Sequence, residues 1–215
     1  INEDDMSEAI TTLAVLGGTG KEGKGLAFRW AKAGFKVIIG SRTPEKAHQA
    51  AEDINQMLNQ DIVTGMDNVS AAEQADIAIL TVPYSAHKST LETVKDAVQG
   101  KIFIDVTVPL VPPKVTKVQM PPAGSAAQEA REILGEGVEV VDAFQSISYE
   151  HLMVEGEVPC DVLVTGSSKE ARTQVIKLVE AAGLIGWDAG PIENSVVIEG
   201  LTSILIYLNK QYGST

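Results

Sequence analysis

Near its start the chain reads Leu13-Ala-Val-Leu-Gly-Gly-Thr-Gly-Lys-Glu-Gly-Lys-Gly, an apolar run that breaks into glycines and resumes at helical spacing. Gly18, Gly20 and Gly23 make the pattern G-x-G-x-x-G between a strand pattern and a helix pattern. In that context the pattern commits the chain to a strand, a tight turn and a helix whose first amides face a pyrophosphate. Gly18 is read as permitting the tight turn. Gly20 lets the backbone approach the pyrophosphate, and Gly23 lets helix and strand pack closely. The chain therefore opens with a nucleotide-binding βαβ unit.

The tip of the second strand selects the nucleotide. An NAD-binding unit places Asp or Glu there, about 20 residues on, to bond the ribose hydroxyls. This strand ends instead in Gly40, Ser41 and Arg42, and Lys46 follows one helical turn later. A carboxylate would repel a 2′-phosphate, whereas a hydroxyl, a guanidinium and an ammonium bind one. Positive charges at a helix start oppose its dipole, so an anionic ligand explains Arg42 and Lys46 better than solvation does. The expected cofactor is NADP(H).

Apolar runs at 12–16, 36–39, 62–66, 77–82, 102–106 and 138–141 alternate with helical patterns such as 23–33 and 44–58. Such alternation predicts an α/β fold, a doubly wound parallel sheet covered on both faces, over residues 1–144. Within it, residues 109–124 hold Pro109, Pro112, Pro113, Pro121 and Pro122 and cannot form a regular element. A loop of that length in a compact domain is usually functional. Ser125 is expected to cap the helix that follows it.

Residues 145–215 are too short for an α/β sheet of their own and read as a small C-terminal α+β domain. They hold an apolar run at 160–165, a helix at 169–182 and a closing helix at 196–212. In the closing helix Leu201, Ile204, Leu205 and Leu208 recur at helical spacing. That face must bury against the first domain or a second copy, and a homodimer is expected.

Composition excludes several alternatives. A net charge of −12 leaves no general phosphate-neutralising surface, so nucleic acid is not an expected partner. No apolar run is long enough to span a bilayer. The acidic opening, residues 1–5, is not a signal peptide, and Met6 is a candidate natural start. The single Cys160 rules out an internal disulfide and a cysteine-rich metal site, consistent with the cytoplasm. His48, His87 and His151 have no metal-ligand spacing. His48 reads as surface, His87 and His151 as lying near the cleft, and Cys160 as a small buried hydrophobe.

The glycine turn with Gly40-Ser-Arg is joined by Ile62-Val-Thr-Gly-Met-x-Asn, Asp76-Ile-Ala-Ile-Leu-Thr-Val-Pro-Tyr and Val140-Val-Asp-Ala-Phe-Gln. Further on come Cys160-Asp-Val-Leu-Val-Thr-Gly, Asp188-Ala-Gly-Pro-Ile-Glu-Asn and Glu199-Gly-Leu-Thr-Ser-Ile-Leu. Over nearly its whole length the chain resembles the NADPH-dependent coenzyme F420 reductase family. The resemblance implies a Rossmann-type domain, a small C-terminal domain, and a cleft where nicotinamide meets the deazaflavin co-substrate, coenzyme F420. It implies that Thr19, Gly20, Lys21 and Glu22 line the pyrophosphate turn and that Ser41, Arg42 and Lys46 hold the 2′-phosphate. Val82, Pro83 and Tyr84 would border the nicotinamide. Val111, Gln145, Ile147, Ser148 and Tyr149 would approach the deazaflavin. Some members carry His where this chain has Gln145, so no titrating imidazole is carried over to that position.

Hydride transfer between two rings requires stacking and exclusion of water more than an acid or base, so no catalytic side chain is nominated. Gln145 is either a hydrogen-bond donor to the deazaflavin's polar edge or a strand-end amide satisfied by backbone. Two other functions stay open from sequence: a flavin or ferric reductase, and an NADPH-binding sensor that never turns over. A cleft with room for a second flat ring separates the enzymes from the sensor.

Overall fold

A computed structural model describes residues 12–153, 156, 158 and 160–213. The acidic opening and Met6 lie outside the described residues. The strands are β1 (Thr12–Leu16), β2 (Lys36–Ser41), β3 (Val63–Asp67), β4 (Ile77–Leu80), β5 (Ile102–Asp105), β6 (Glu139–Asp142), β7 (Asp161–Gly166) and β8 (Ile185–Pro191). The helices are α1 (Lys21–Lys32), α2 (Pro44–Leu58), α3 (Asn68–Gln74), α4 (Tyr84–Val94), α5 (Ala126–Leu134), α6 (Tyr149–Leu152), α7 (Lys169–Ala181) and α8 (Ser195–Tyr212).

All eight strands form one sheet in the order β3-β2-β1-β4-β5-β6-β7-β8. The first six run parallel in the dinucleotide-binding order, with the switch point between β1 and β4. Beyond the expected boundary at 144/145 the chain builds no separate sheet: β7 joins β6 antiparallel, and β8 pairs parallel with β7. The strand β8 was not expected, because Trp187, Asp188 and Gly190 break its apolar pattern.

Strand alternation divides the core. Leu13 and Val15 face α1, α2 and α7, while Ala14 and Leu16 face α3, α4 and α5. Trp30 ties α1 to the C-terminal segment: its Nε1 donates to the Leu178 carbonyl at 2.9 Å, and its ring meets Phe144 edge-on, 5.8 Å between centroids. Helix starts follow the sequence signals. Ser125 accepts from the Gln128 amide at 3.1 Å and Ser168 from the Ala171 amide at 3.2 Å. The proline-rich residues 109–124 form neither helix nor strand, as expected.

Candidate active site

The strand ends at the switch point lie level, with Leu16 in register with Leu80, Leu80 with Asp105, and Asp105 with Asp142. The loops that leave this row form two adjoining hollows.

The first, about 240 Å³, is lined by Gly17, Thr19, Gly20, Ser41, Arg42, Lys46 and Asn68, with Thr81, Val82 and Pro83. Its glycines divide the work differently from the expectation. The left-handed backbone falls on Gly17, at φ 72°, rather than on Gly18. Gly18 is required because a Cβ there would stand 2.6 Å from the Val15 carbonyl oxygen. A Cβ at Gly23 would meet Gly18 Cα at 2.7 Å, so α1 presses directly on the turn. Gly20 faces open space, its nearest neighbour lying 3.8 Å away, and leaves the backbone accessible to a ligand. Asn68 Oδ1 accepts from the Gly17 amide at 3.2 Å and braces the turn. Ser41 is buried, while Arg42 and Lys46 are exposed. Among the described residues neither cation makes an ion pair.

The second hollow is larger, about 730 Å³. Gly20, Thr81, Val82 and Pro83 line both. Lys21, Glu22, Tyr84, Thr107, Leu110, Pro112 and Val115 add to its walls, with Gln145, Ile147, Ser148, Tyr149 and, from α8, Thr202, Leu205 and Ile206. Burial pushes the Glu22 carboxyl up to about 8.

Behind that wall sits a buried polar network. Strand parity turns Asp105 and Asp142, adjacent in register, toward α4 and α5. Asp105 Oδ1 accepts from the Thr107 amide at 3.0 Å, and its Oδ2 lies 2.7 Å from His87 Nε2. His87 Nδ1 lies 3.3 Å from Glu129 Oε2, and that oxygen accepts from the Tyr84 hydroxyl at 3.1 Å. Burial opposes charge on His87, but the Asp105 and Glu129 carboxylates prevail and raise its pKa. Glu199 of α8 accepts from the Ala126 and Ala127 amides at 2.7 and 3.0 Å, capping α5 across the molecule. Burial nevertheless pushes its carboxyl up to about 8. Burial also raises Asp142 well above the usual carboxylate range, helped by Glu199 and Asp105.

Gln145 follows Phe144, a buried non-glycine residue at φ 75°. Such a conformation costs about 1–3 kcal/mol and persists only where the surroundings enforce it. Here Trp30 against the Phe144 ring and Thr202, whose Oγ1 donates to the Gln145 carbonyl at 3.0 Å, hold the turn. Gln145 Nε2 donates to the Asp105 carbonyl at 2.9 Å and to Asp142 Oδ1. The expected donor role toward a ligand is thus unavailable: both N–H groups serve the protein.

Comparison with known proteins agrees with this geometry. The family described as NADP oxidoreductase, coenzyme F420-dependent, matches residues 12–109. An F420-dependent NADP reductase from Methanocaldococcus jannaschii is 41% identical over 212 residues, covering 94% of each chain. The Methanothermobacter marburgensis enzyme of the same name is 42% identical over 205 residues, covering 92% of each. The chain belongs to the coenzyme F420-dependent NADP oxidoreductase family. A crystal structure of an Arthrobacter protein assigned as an F420-dependent NADP reductase shares the fold, with TM-score 0.76 at 23% identity and 96% coverage of both chains.

As a member of the F420-dependent NADP oxidoreductase family, the chain brings most of its expected site residues together. Thr19, Gly20, Ser41, Arg42, Lys46, Val82 and Pro83 line the smaller hollow; Gly20, Lys21, Glu22, Val82, Pro83, Tyr84, Gln145, Ile147, Ser148 and Tyr149 line the larger. Gly18 and Gly23 shape the turn without lining either. Val111 is exposed and stands outside the lining, where its loop neighbours Leu110, Pro112 and Val115 contribute instead. His48 and His151 are exposed, His87 is buried behind Tyr84, and Cys160 is only partly buried. Among the described residues no cluster of His, Cys, Asp or Glu could hold a metal ion. Asp105 and Arg29 escaped sequence reasoning, and Asp142 and Glu199 entered it only as motif positions without a role. The available signal was the same for each: a charged residue inside an apolar strand or helix face.

Proposed function

We propose that the protein transfers hydride between NADP(H) and the 5-deazaflavin coenzyme F420. The supporting observation is the pair of hollows sharing Gly20, Thr81, Val82 and Pro83, with phosphate-binding groups beside the smaller and room for a second flat ring in the larger. When bound, NADPH supplies a hydride and coenzyme F420 accepts it. The α1 amides take the pyrophosphate, and Ser41, Arg42 and Lys46 the 2′-phosphate. Val82, Pro83 and Tyr84 border the nicotinamide side. The segment beyond 144 acts as the substrate half of the cleft, where Leu205, Ile206 and Ile147 exclude water from the meeting place of the rings. A pure sensor has no use for this second hollow. Mixing protein, NADPH and oxidised coenzyme F420 should bleach the deazaflavin absorbance; tight NADPH binding without bleaching would favour the sensor, and turnover only of free flavin or ferric chelates the reductase.

The same reading includes a homodimer. Val197, Leu201, Ile204 and Leu208 form an exposed stripe along α8, Val197 at 70%. It continues past Leu163 to its register partner Trp187, 55% exposed. A contiguous apolar surface of this kind marks an interface. Sedimentation as a monomer at micromolar concentration would exclude it. The proposed setting is the cytoplasm; among the described residues no helix is long and apolar enough to cross a membrane.

A further inference from the structure

Four carboxyl groups and one imidazole meet behind the wall of the larger hollow. His87, Asp105 and Asp142 are fully buried, and Glu199 is 1% exposed. Glu129 completes the group, its side chain 24% exposed. His87 is the one base among the five. Its Nε2 lies 2.7 Å from Asp105 Oδ2, and its Nδ1, buried without a hydrogen bond, faces Glu129 Oε2 at 3.3 Å. An ionised imidazole thus answers two of the carboxylates. Asp142 and Glu199 are left to hydrogen bonds, from Gln145 and Thr165 to the first and from two α5 amides to the second. Each raises the other's hold on its proton, and carboxyls coupled in this way titrate as a pair.

Three wall residues connect the group to the cleft. Tyr84 donates to Glu129 Oε2, the Thr107 amide to Asp105 Oδ1, and Gln145 Nε2 to the Asp105 carbonyl and to Asp142 Oδ1. All three line the larger hollow, while none of the five ionisable groups does. The carboxyls therefore act on the contents of the hollow through their field, from an interior where charge is weakly screened.

We propose that Asp142 and Glu199 are the electrostatic partners of the oxidised nicotinamide: the pair gives up a proton when the ring in front of Tyr84 becomes a cation and regains it on reduction. The inference rests on the reading that sets the nicotinamide against Val82, Pro83 and Tyr84, and deepens it. Charge balances, because departure of the hydride leaves one positive charge on the ring and departure of the proton leaves one negative charge behind the wall. The proton passes to solvent, with Glu129 as the exposed member of the group. Burial keeps the Glu199 carboxyl at about 8 and Asp142 well above the usual range, so a proton is present to be released. A fixed negative field at that place favours the oxidised ring and so favours hydride donation by bound NADPH. Besides two tyrosines, the ionisable side chains that line the hollow itself are Lys21 and Glu22. Glu22, raised to about 8 by burial, is the competing source of a proton.

The test is the pH dependence of binding, measured separately for NADP+ and NADPH on the unaltered protein. The ratio of the two dissociation constants removes what the 2′-phosphate contributes to both. Between about pH 6 and about pH 8.5 NADP+ should gain about 3- to 10-fold on NADPH, the sign required when NADP+ binding releases a proton. Calorimetry at neutral pH, in buffers of different ionisation enthalpy, should find more protons released with NADP+ than with NADPH. A ratio independent of pH, or equal release with both nucleotides, overturns the proposal. Glu22→Gln should keep the gain, and its loss there would assign the proton to Glu22 instead. Asp142→Asn with Glu199→Gln, each matching the neutral carboxyl in shape, should hold the ratio within about twofold across the same range. A full gain in that double variant overturns the assignment. If the double variant does not fold, the proton count and Glu22→Gln decide the matter. Failure to bind either nucleotide would instead overturn the cofactor reading beneath the proposal.

Discussion

The Nζ of Lys21 lies 3.1 Å from the Tyr149 hydroxyl and 4.5 Å from the centre of the same ring. One residue belongs to the pyrophosphate turn and the other to the short α6, so this contact clasps the two halves of the cleft at its mouth. The α6 end is anchored independently: the buried Arg29 donates to the carbonyls of Leu152, Gly156 and His151 at 2.8, 2.7 and 2.9 Å. Tyr149 is thus held from below and capped by a cation. Replacing it by Leu removes an exposed cation–π contact and should raise the coenzyme F420 KM about two- to fivefold. Steady-state kinetics should show the NADPH KM within about twofold of the parent, because the amides of the turn remain.

Arg42 decides the nucleotide. Arg42→Ala should erase most of the preference for NADPH over NADH, about 1.5–3 kcal/mol if one charge-assisted phosphate contact dominates. NADH affinity should barely change, since no acidic residue waits at the tip of β2 to bind its ribose. Titrations showing equal affinities in the unaltered protein would refute the assignment of Ser41, Arg42 and Lys46.

The deazaflavin coenzyme carries a phosphate and glutamate carboxylates, yet the protein bears −12. Local cations must therefore steer its tail. Lys114 and Lys117 are exposed on the proline loop whose Leu110, Pro112 and Val115 line the cleft. Changing both to Gln should raise the coenzyme F420 KM and flatten its dependence on ionic strength, leaving the NADPH KM in place. An unchanged salt slope would mean the tail docks elsewhere, with Lys21, Lys24, Lys169 and Arg172 as the remaining cations near the glycine turn and α7.

Stability should fall as the pH rises. The carboxyls of Glu22 and Glu199 move from the ordinary 4.5 to about 8 in the folded chain, both through burial, and Asp142 is raised as well. Between those values the folded chain holds protons that the unfolded chain has released, so the free energy of unfolding declines with pH across the window. His87 contributes with the same sign, its raised pKa stabilising the fold below the unfolded value and no longer above the folded one. Calorimetry on ligand-free protein should give a lower Tm at about pH 8.5 than at about pH 5.5. Glu22→Gln should flatten part of the slope. A Tm that rises across the interval would contradict the burial of these carboxyls in their neutral form.

The alternation of short apolar runs with helical patterns was enough to specify the six parallel strands, because strands covered on both faces must be apolar throughout. The glycine turn, the Ser41-Arg42 tip and the capping Ser125 were equally legible, since each depends on neighbours a few residues away. Sequence alone could not place β8, whose exposed Trp187 and Asp188 break any apolar period at the sheet's edge. Nor could it separate Gly17 from Gly18: φ at the turn depends on where Val82 and the Val15 carbonyl stand. The polar network was hidden for the same reason. Asp105 and His87 are 18 positions apart, Glu199 and Ala126 73, and Arg29 and Leu152 123. A charge in an apolar stretch announces a buried partner but not which one. Only the level strand ends bring Asp105 beside Asp142, and only the turn at Phe144 lets Gln145 spend both donors inside the protein.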